Sequence, residues 1–327
     1  MNTFGHNFRV SVFGESHGQV IGVTVDGVRA GLMLNEADFR DNLMRRLPGV
    51  SGTTSRHEKD IPKIISGILD GHTTGAPLTV IFENEDTRSG DYESFRQIPR
   101  PGHADYASAV KFDGFNDIRG GGQFSGRMTL ALVAAGTVAG KMLPPEISIR
   151  ASLVEVGGVK APASSSEEWY SNVIEGARMK GDSVGGIIEC VCHGVPVGVG
   201  NPFFDSVESV ISHLVFAIPG VRGIEFGDGF GASRMQGSQH NDPIVDSNGT
   251  TSRNGAGGIN GGITNGNDIV FRVAVKPTSS ISAPQESFNF KTGRMETFSI
   301  KGRHDTCIAL RAAVVVESIA AIALASL

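Results

Sequence analysis

Near the start of the chain Phe8, Val10 and Val12 alternate with Arg9, Ser11 and Phe13, and Ile21, Val23 and Val25 repeat the same two-residue period before Asp26-Gly27. That period predicts two strands joined by GESHG. The pattern returns in KIISGILDG (63 to 71) followed by PLTVIFEN (77 to 84), and in IVFRVAVKP (269 to 277), where Ile269, Phe271, Val273 and Val275 share a face. One apolar and one polar face is the signature of antiparallel sheet.

A period near 3.6 marks the helices. NEADFRDNLMRRL (35 to 47) opens on Asn35 as an N-cap, places Phe39, Leu43 and Leu47 on one stripe and stops at Pro48-Gly49. Helices are also predicted in SSSEEWYSNVIEGARM, in DSVESVISHLVFAI, from Ser125 through MTLALVAAGTVAGKML, and from Ile308 to Leu327. The last is apolar but interrupted by Arg311 and Glu317 and rich in alanine, which predicts a buried helix rather than a membrane span. The class is α+β. With no internal repeat, charge block or long linker, residues 1–327 are expected to form a single domain, and APASSS (161 to 166) reads as an insertion within it.

Composition sharpens this picture at one point. Forty-four glycines in 327 residues is about twice the usual ~7% share, without a collagen period. Many positions must therefore need positive φ or a close backbone approach. A net charge of −5 leaves no electrostatic footprint for nucleic acid or an anionic membrane, so small-molecule partners are expected. Cys190, Cys192 and Cys307 have neither a disulfide framework's count nor a zinc site's spacing, so no metal is expected and reduced cytoplasm is the default location. The N-terminus, MNTFGHNFRV, lacks the charged and apolar regions of a signal peptide.

The chemistry concentrates in loops. GESHG formally matches the G-x-S-x-G nucleophile elbow, with Ser16 as nucleophile. An elbow needs a strand-to-helix turn and an oxyanion loop from an earlier strand, whereas here a strand follows and only thirteen residues precede. RGGGQFSGR, from Arg119, joins three glycines to a helix start at Ser125, where backbone N–H groups and the helix dipole suit an anion. It resembles a Walker A loop, but Arg127 and Met128 stand where lysine and Ser/Thr are required. RPGHADY (100 to 106) places His103 beside Arg100 and Asp105. NGAGGINGGITNG, KPTSS (276 to 280) and KGRHDTC (301 to 307) complete the set, while GDGFGA (227 to 232) opens no dinucleotide-binding βαβ unit. His213, on an apolar-patterned helix, reads as structural. Arginine forks beside glycine loops suit phosphate and carboxylate. The residues alone indicate an enzyme or binder of a multiply anionic, phosphorylated small molecule.

In this order, FGESHG, DGV (26 to 28), RRLPG, TTSRHEKD, RPGHADY, RGGG, GDS (181 to 183), GVRGIEFGDGF, GAGGINGG, KPTSSI and KGRHDTC resemble the chorismate synthase family over nearly the whole chain. The resemblance implies a β-α-β sandwich with antiparallel sheets around central helices, assembled as a homotetramer. It implies 1,4-anti elimination of phosphate from 5-enolpyruvylshikimate 3-phosphate to chorismate, with reduced FMN and no net redox change. Carried over to this sequence, His17 donates a proton to the departing phosphate, and His103 faces the reduced flavin. Asp305, with Ser16, manages a proton at flavin N5. Arg46 and Arg127, joined by Arg56, hold the substrate's anions. Ser125, Gly220, Gly261, Lys276, Pro277, Thr278, Ser279, Ser280 and Arg303 match flavin contacts. Since no nicotinamide-binding unit is visible, NADPH is not expected to be used directly and an external source of reduced flavin is expected. A catalytically silent flavin or phosphate binder is the second reading, against which the retained His17, His103 and Asp305 speak. Leu47, Gly52, Gln123, Met128 and Thr306 depart from residues common in the family.

Overall fold

The computed structural model describes residues 1–49, 52–54, 56, 58–86, 89–163, 169–300, 302 and 304–327. In its first half the chain forms β1 (Thr3–Phe4), β2 (Arg9–Gly14), β3 (Val20–Asp26), helix α1 (Arg40–Arg46), β4 (Lys63–Ser66), the small hairpin β5 (Ile68–Leu69) and β6 (His72–Thr73), β7 (Leu78–Glu83), α2 (Asp105–Lys111) and α3 (Thr129–Met142). The second half adds β8 (Ser148–Val156), β9 (Val159–Lys160), α4 (Ser171–Met179), β10 (Gly186–His193), α5 (Val207–Val215), β11 (Val221–Phe226) and α6 (Gly237–His240). It closes with the hairpins β12 (Ile259–Asn260)/β13 (Ile263–Thr264) and β15 (Gln285–Asn289)/β16 (Arg294–Phe298), which flank β14 (Ile269–Val275), and with α7 (Ala309–Ser326).

Two five-stranded antiparallel sheets result, ordered β1-β2-β3-β7-β4 and β11-β14-β10-β8-β9. Helix α3 packs on β3, β2 and β7 of the first sheet, α7 packs on β8 and β10 of the second, and the two helices pack on each other. The expected sandwich is therefore present, with a helical layer between sheets. It follows from residue pattern: Ile21, Val23 and Val25 point inward from β3, and Ile269, Phe271, Val273 and Val275 from β14. Because α3 and α7 meet apolar neighbours on both sides, they are apolar nearly all round. Among the described residues α7 is the one helix long and apolar enough to cross a membrane, and here it is the enclosed core helix. The three cysteines are free and buried.

The sequence-based elements differ from the structure in three instructive places. Asn35 caps as expected, accepting from Ala37 N and with Asp38 returning to its own N–H, but the first turn is a 3₁₀ turn (Glu36–Phe39) before α1 begins. Strands β4 and β7 do pair antiparallel, yet the β5–β6 hairpin intervenes between them. Strands β8, β10 and β11 carry too mixed a pattern to be read from periodicity, because their outer faces are only half covered. Residues 164 to 168, which include most of the serine-rich insertion and the start of one expected helix, lie outside the described residues.

A half-buried ion pair fixes α1 against this core. Arg45 grips Glu317 in mid-α7 through Nη1 and Nη2 at 2.6 and 2.8 Å, and the same carboxylate accepts from Ala151 N of β8 at 2.8 Å. The C-terminal end of α1, with Arg46, is thereby set at one end of the sandwich. Where α3 and α7 cross, Gly136 meets Ser318 so closely that a Cβ would lie 2.5 Å from the Ser318 Cα. Gly136→Val is expected to lower stability by about 1–3 kcal/mol through overpacking, read as a lower urea midpoint; an unchanged midpoint would refute this crossing.

Candidate active site

A cavity of about 710 Å³, within the ~300–1,000 Å³ typical of small-molecule sites, is lined by residues from both halves of the chain. The end of α1, the glycine loop before α3, the turn after β14 and the approach to α7 all contribute to its wall. Arg46, Arg56, His103, Ser125, Arg127, Gly220, Lys276, Thr278, Ser279, Ser280 and Asp305 line it. Ser16 and His17 stand immediately behind the glycine loop at Gly120. Most residues singled out from the sequence therefore converge on one place. Pro277 lies in the same turn but packs toward Gly185 rather than lining the cavity. Gly261, in the turn between β12 and β13, is not among the lining residues. Arg303 lies outside the described residues.

The anion-binding end is built around one carboxylate that sequence reasoning missed. Asp60 accepts from Arg46 Nη2 at 2.5 Å and from Arg127 Nη1 at 2.8 Å, and all three side chains are nearly inaccessible. The two guanidiniums pull its carboxyl below the usual range against the upward push of burial. Arg46 Nε and Arg127 Nη2 are buried with no hydrogen-bond partner among the described residues. Glu58 Oε2 stands 3.8 Å from Arg127 Nη2, too far to accept. Buried donors left open cost free energy unless a ligand takes them. Asp60 offered no sequence signal beyond its place in RHEKD, although its φ of +47° marks a fixed, unusual backbone.

The glycine loop separates two histidines. A Cβ on Gly120 would lie 2.8 Å from His17 Nε2 and 2.6 Å from Ser16 Oγ, and one on Gly121 would lie 3.4 Å from His103 Nε2. Both glycines have positive φ, so only this residue type brings backbone so close to both imidazoles. Ser125 caps the helix that follows, accepting from Arg127 N, as the sequence suggests.

Each histidine has its own electrostatic setting. Burial, then Arg56 and Arg119, lower the pKa of His17 to about 4, against the opposing pull of Asp117 and Glu58. Tyr92 stands edge-to-face against the same ring at 5.2 Å. Arg56 reaches Ser16 Oγ at 3.0 Å and Ser16 O at 3.1 Å while paired with Glu58, so its charge is directed at this loop. Burial also lowers the pKa of His103, opposed by its hydrogen bond with Asp105. His103 Nδ1 lies 2.6 Å from Asp105 and 3.0 Å from Arg100 Nη2, and these two groups hold the ring with Nε2 toward Gly121. Arg100 holds Asp105 bidentately at 2.7 Å and donates to Ser280 Oγ at 3.0 Å, linking His103 to the KPTSS turn. There Lys276 and Ser279 both bond Gly102 O, and burial with the nearby Arg222 lowers the lysine's pKa.

Asp305 accepts from Thr54 N at 2.9 Å and pairs with Arg311 at 3.2 Å; Arg311 in turn donates to Arg46 O at 2.8 Å. Cations outnumber carboxylates on the cavity wall, with Arg222 and Arg311 present beyond those expected from sequence.

A family model described as chorismate synthase matches residues 8–327. The chain belongs to the chorismate synthase family. Chorismate synthase of Chitinophaga pinensis is 57% identical over 99% of this chain and 96% of its own length; that of Korarchaeum cryptofilum is 46% identical over 98% and 96%. A crystal structure of a chorismate synthase superposes with a TM-score of 0.75 at 25% identity, covering 99% of this chain and 92% of the other. As a member of that family the chain is a carbon–oxygen lyase that eliminates phosphate, yielding chorismate. Two departures from the family's common residues prove to be joined: Thr306 N donates to Gly52 O at 2.7 Å, a bond that a proline at 306 could not make.

The pH dependence of stability should have two windows. Both histidine pKa values lie below the usual ~6.5, so an unfolded chain takes up protons that the native site refuses as pH falls. Stability contributed at and above neutrality is thus lost between about pH 6.5 and 4. The depressed carboxyls of Asp60 and Asp105 add a loss that begins below about pH 4. His17→Asn is expected to flatten the upper window alone in thermal melts against pH; an unaltered slope would show that His17 titrates normally.

Proposed function

We propose that the cavity binds 5-enolpyruvylshikimate 3-phosphate beside reduced FMN and that the residues around it carry out 1,4-anti elimination. The observation that supports this most directly is the pair of open, buried donors on Arg46 and Arg127. They suit an anionic oxygen, and the substrate is rich in them through its phosphate and carboxylates. Arg56 and Arg311 extend the same positive wall.

His17 supplies the proton that the departing phosphate needs. Before substrate binds, its imidazole is held neutral at pH 7, yet an anion within about 4–6 Å raises a neighbouring pKa by ~1–3 units. Substrate binding therefore shifts the donor toward its charged form, most fully at mildly acidic pH. In the reaction the C–O bond to phosphate breaks, the ring loses a hydrogen, and phosphate leaves with its negative charge partly neutralised by His17 and the arginines.

The donor set also fits a flavin phosphate and ring edge. Lys276, Thr278, Ser279 and Ser280 form a hydroxyl-rich turn facing the cavity, Ser125 and Gly220 lie nearby on its wall, and Thr278 Oγ1 is buried without a hydrogen-bond partner among the described residues. Reduced FMN, when bound, lends electron density to the substrate and recovers it, leaving no net redox change. His103, its Nδ1 held between Arg100 and Asp105, turns Nε2 toward the cavity, where Nε2–H donates to an anionic reduced ring. Asp305, anchored by Thr54 and Arg311, works with Ser16 to manage the proton at flavin N5, the atom that would receive the hydrogen lost from the substrate ring. Arg303 is a further flavin contact in this reading, whereas Pro277, turned toward Gly185, shapes the turn that carries the hydroxyls. Because Gly261 does not line this chain's own cavity, a flavin contact from it would cross a subunit boundary, as a homotetramer permits. The reduced flavin comes from an external source in a cytoplasmic setting.

An anaerobic assay with the substrate and chemically reduced FMN tests the reading: chorismate and phosphate should appear in equal amounts without flavin consumption. Turnover supported by NADPH and oxidised FMN without an added reductase would overturn the external-source assignment. His17→Ala and His103→Ala should each lower turnover by about 10- to 10⁴-fold, and unchanged turnover would remove the residue from the mechanism. Calorimetry near pH 5.5 in buffers of different ionisation heat should show proton uptake on substrate binding that His17→Asn abolishes; equal uptake in the variant would refute recharging.

A further inference from the structure

The proton-donor loop and the substrate-anion ligand come from opposite ends of the first half of the chain, and one side chain joins them. Asn84, immediately after β7, continues the sheet ladder by donating its backbone N–H to Gln19 O at 3.2 Å. Its side-chain Nδ2 donates to Glu15 O at 3.1 Å and Gly18 O at 2.9 Å, the carbonyls on either side of Ser16-His17. Its Oδ1 accepts from Arg127 Nε at 2.6 Å.

The amide orientation is forced. Turned over, the oxygen would face two carbonyl oxygens and the NH₂ would face the Arg127 N–H, so every contact would be repulsive. Few side chains other than asparagine offer two donors and an acceptor at this reach. A serine is too short to span both carbonyls, and an aspartate would present an oxygen to them. On its other side the loop is held by Ser16 N donating to Gly122 O at 3.2 Å and by Arg56 on Ser16. Among these contacts Asn84 is the one that ties the histidine's loop to Arg127.

We infer that Asn84 is a positioning residue for the elimination, setting His17 in register with an anion held by Arg127. This rests on the proposed role of His17 as proton donor. If it acts through His17, its removal must lower kcat while His17 is present and do little once His17 is gone. An effect through Arg127 alone would instead appear in KM and persist in both backgrounds.

The test is a double-mutant cycle in the intact protein. Asn84→Ser should lower kcat by about 10²-fold, the cost of a misplaced catalytic group, and by less than about 3-fold in a His17→Ala background. A full loss recurring in that background, or a kcat in the single variant near that of the unaltered protein, overturns the inference. Should Asn84→Ser fail to fold, the isosteric Asn84→Asp, which keeps an acceptor for Arg127 and loses both loop donors, replaces it in the cycle. A second measurement needs no turnover. By histidine NMR, His17 faces Arg56, Arg119, Asp117, Glu58 and the Tyr92 ring, and its pKa near 4 should move toward 6.5 in the uncharged Asn84→Ser variant as the loop opens to water. An unmoved titration shows that the loop does not depend on Asn84. Because the unaltered protein is assayed alongside, failure of the elimination itself would be seen there and not mistaken for failure of Asn84.

Discussion

Two guanidiniums buried side by side repel each other and lose their water, and the Asp60 carboxylate between them is what makes the arrangement tolerable. It neutralises one charge of the two and takes one N–H from each arginine. The remainder is a fixed excess of positive charge with open donors, in a place where little water can screen it. Around that remainder the other contacts fall into order. Arg45 on Glu317 sets the helix that carries Arg46, Arg311 holds the carbonyl of Arg46, and Asn84 holds Arg127. The site is therefore preorganised before any ligand arrives, which is the condition under which charge stabilisation is most effective.

The sandwich explains why these groups can meet. Sheets on both faces of a helical layer leave the polar chemistry to the ends, where loops from both sheets and the termini of α1, α3 and α7 approach one another. Glycine supplies the remaining freedom, letting the loop at Gly120 and Gly121 run between two imidazoles without side chains of its own.

Much of this was legible in the sequence, and the limits have physical reasons. Strands with one fully buried face, such as β3 and β14, declared themselves by alternation, and the Asn35 cap and the Ser125 helix start were readable from local chemistry. Strands β8 and β10 were not, since half-covered outer faces blur the period and Cys190 and Cys192 gave no strong signal. Within the site, loop glycines and histidines stood out by composition. Asp60, Asn84 and Arg311 did not, because their importance lies in partners 14, 43 or 265 residues distant along the chain, as for Arg46–Asp60, Asn84–Arg127 and Arg46–Arg311. Separation of that kind is visible only after folding.

The bond from Thr306 N to Gly52 O bears on how this chain relates to its kin. Each of the two positions, viewed singly, looks like a substitution that could be reverted toward the commoner residue. Proline at 306 would strip away that donor and leave the Gly52 carbonyl with the longer bond from Cys307 N at 3.3 Å, while a side chain at 52 would strike Ile174, whose Cγ2 lies 2.4 Å from where its Cβ would be. A protein engineer averaging over relatives therefore meets two separate obstacles, a backbone donor at 306 and the packing of α4 against 52, and neither reversion is neutral.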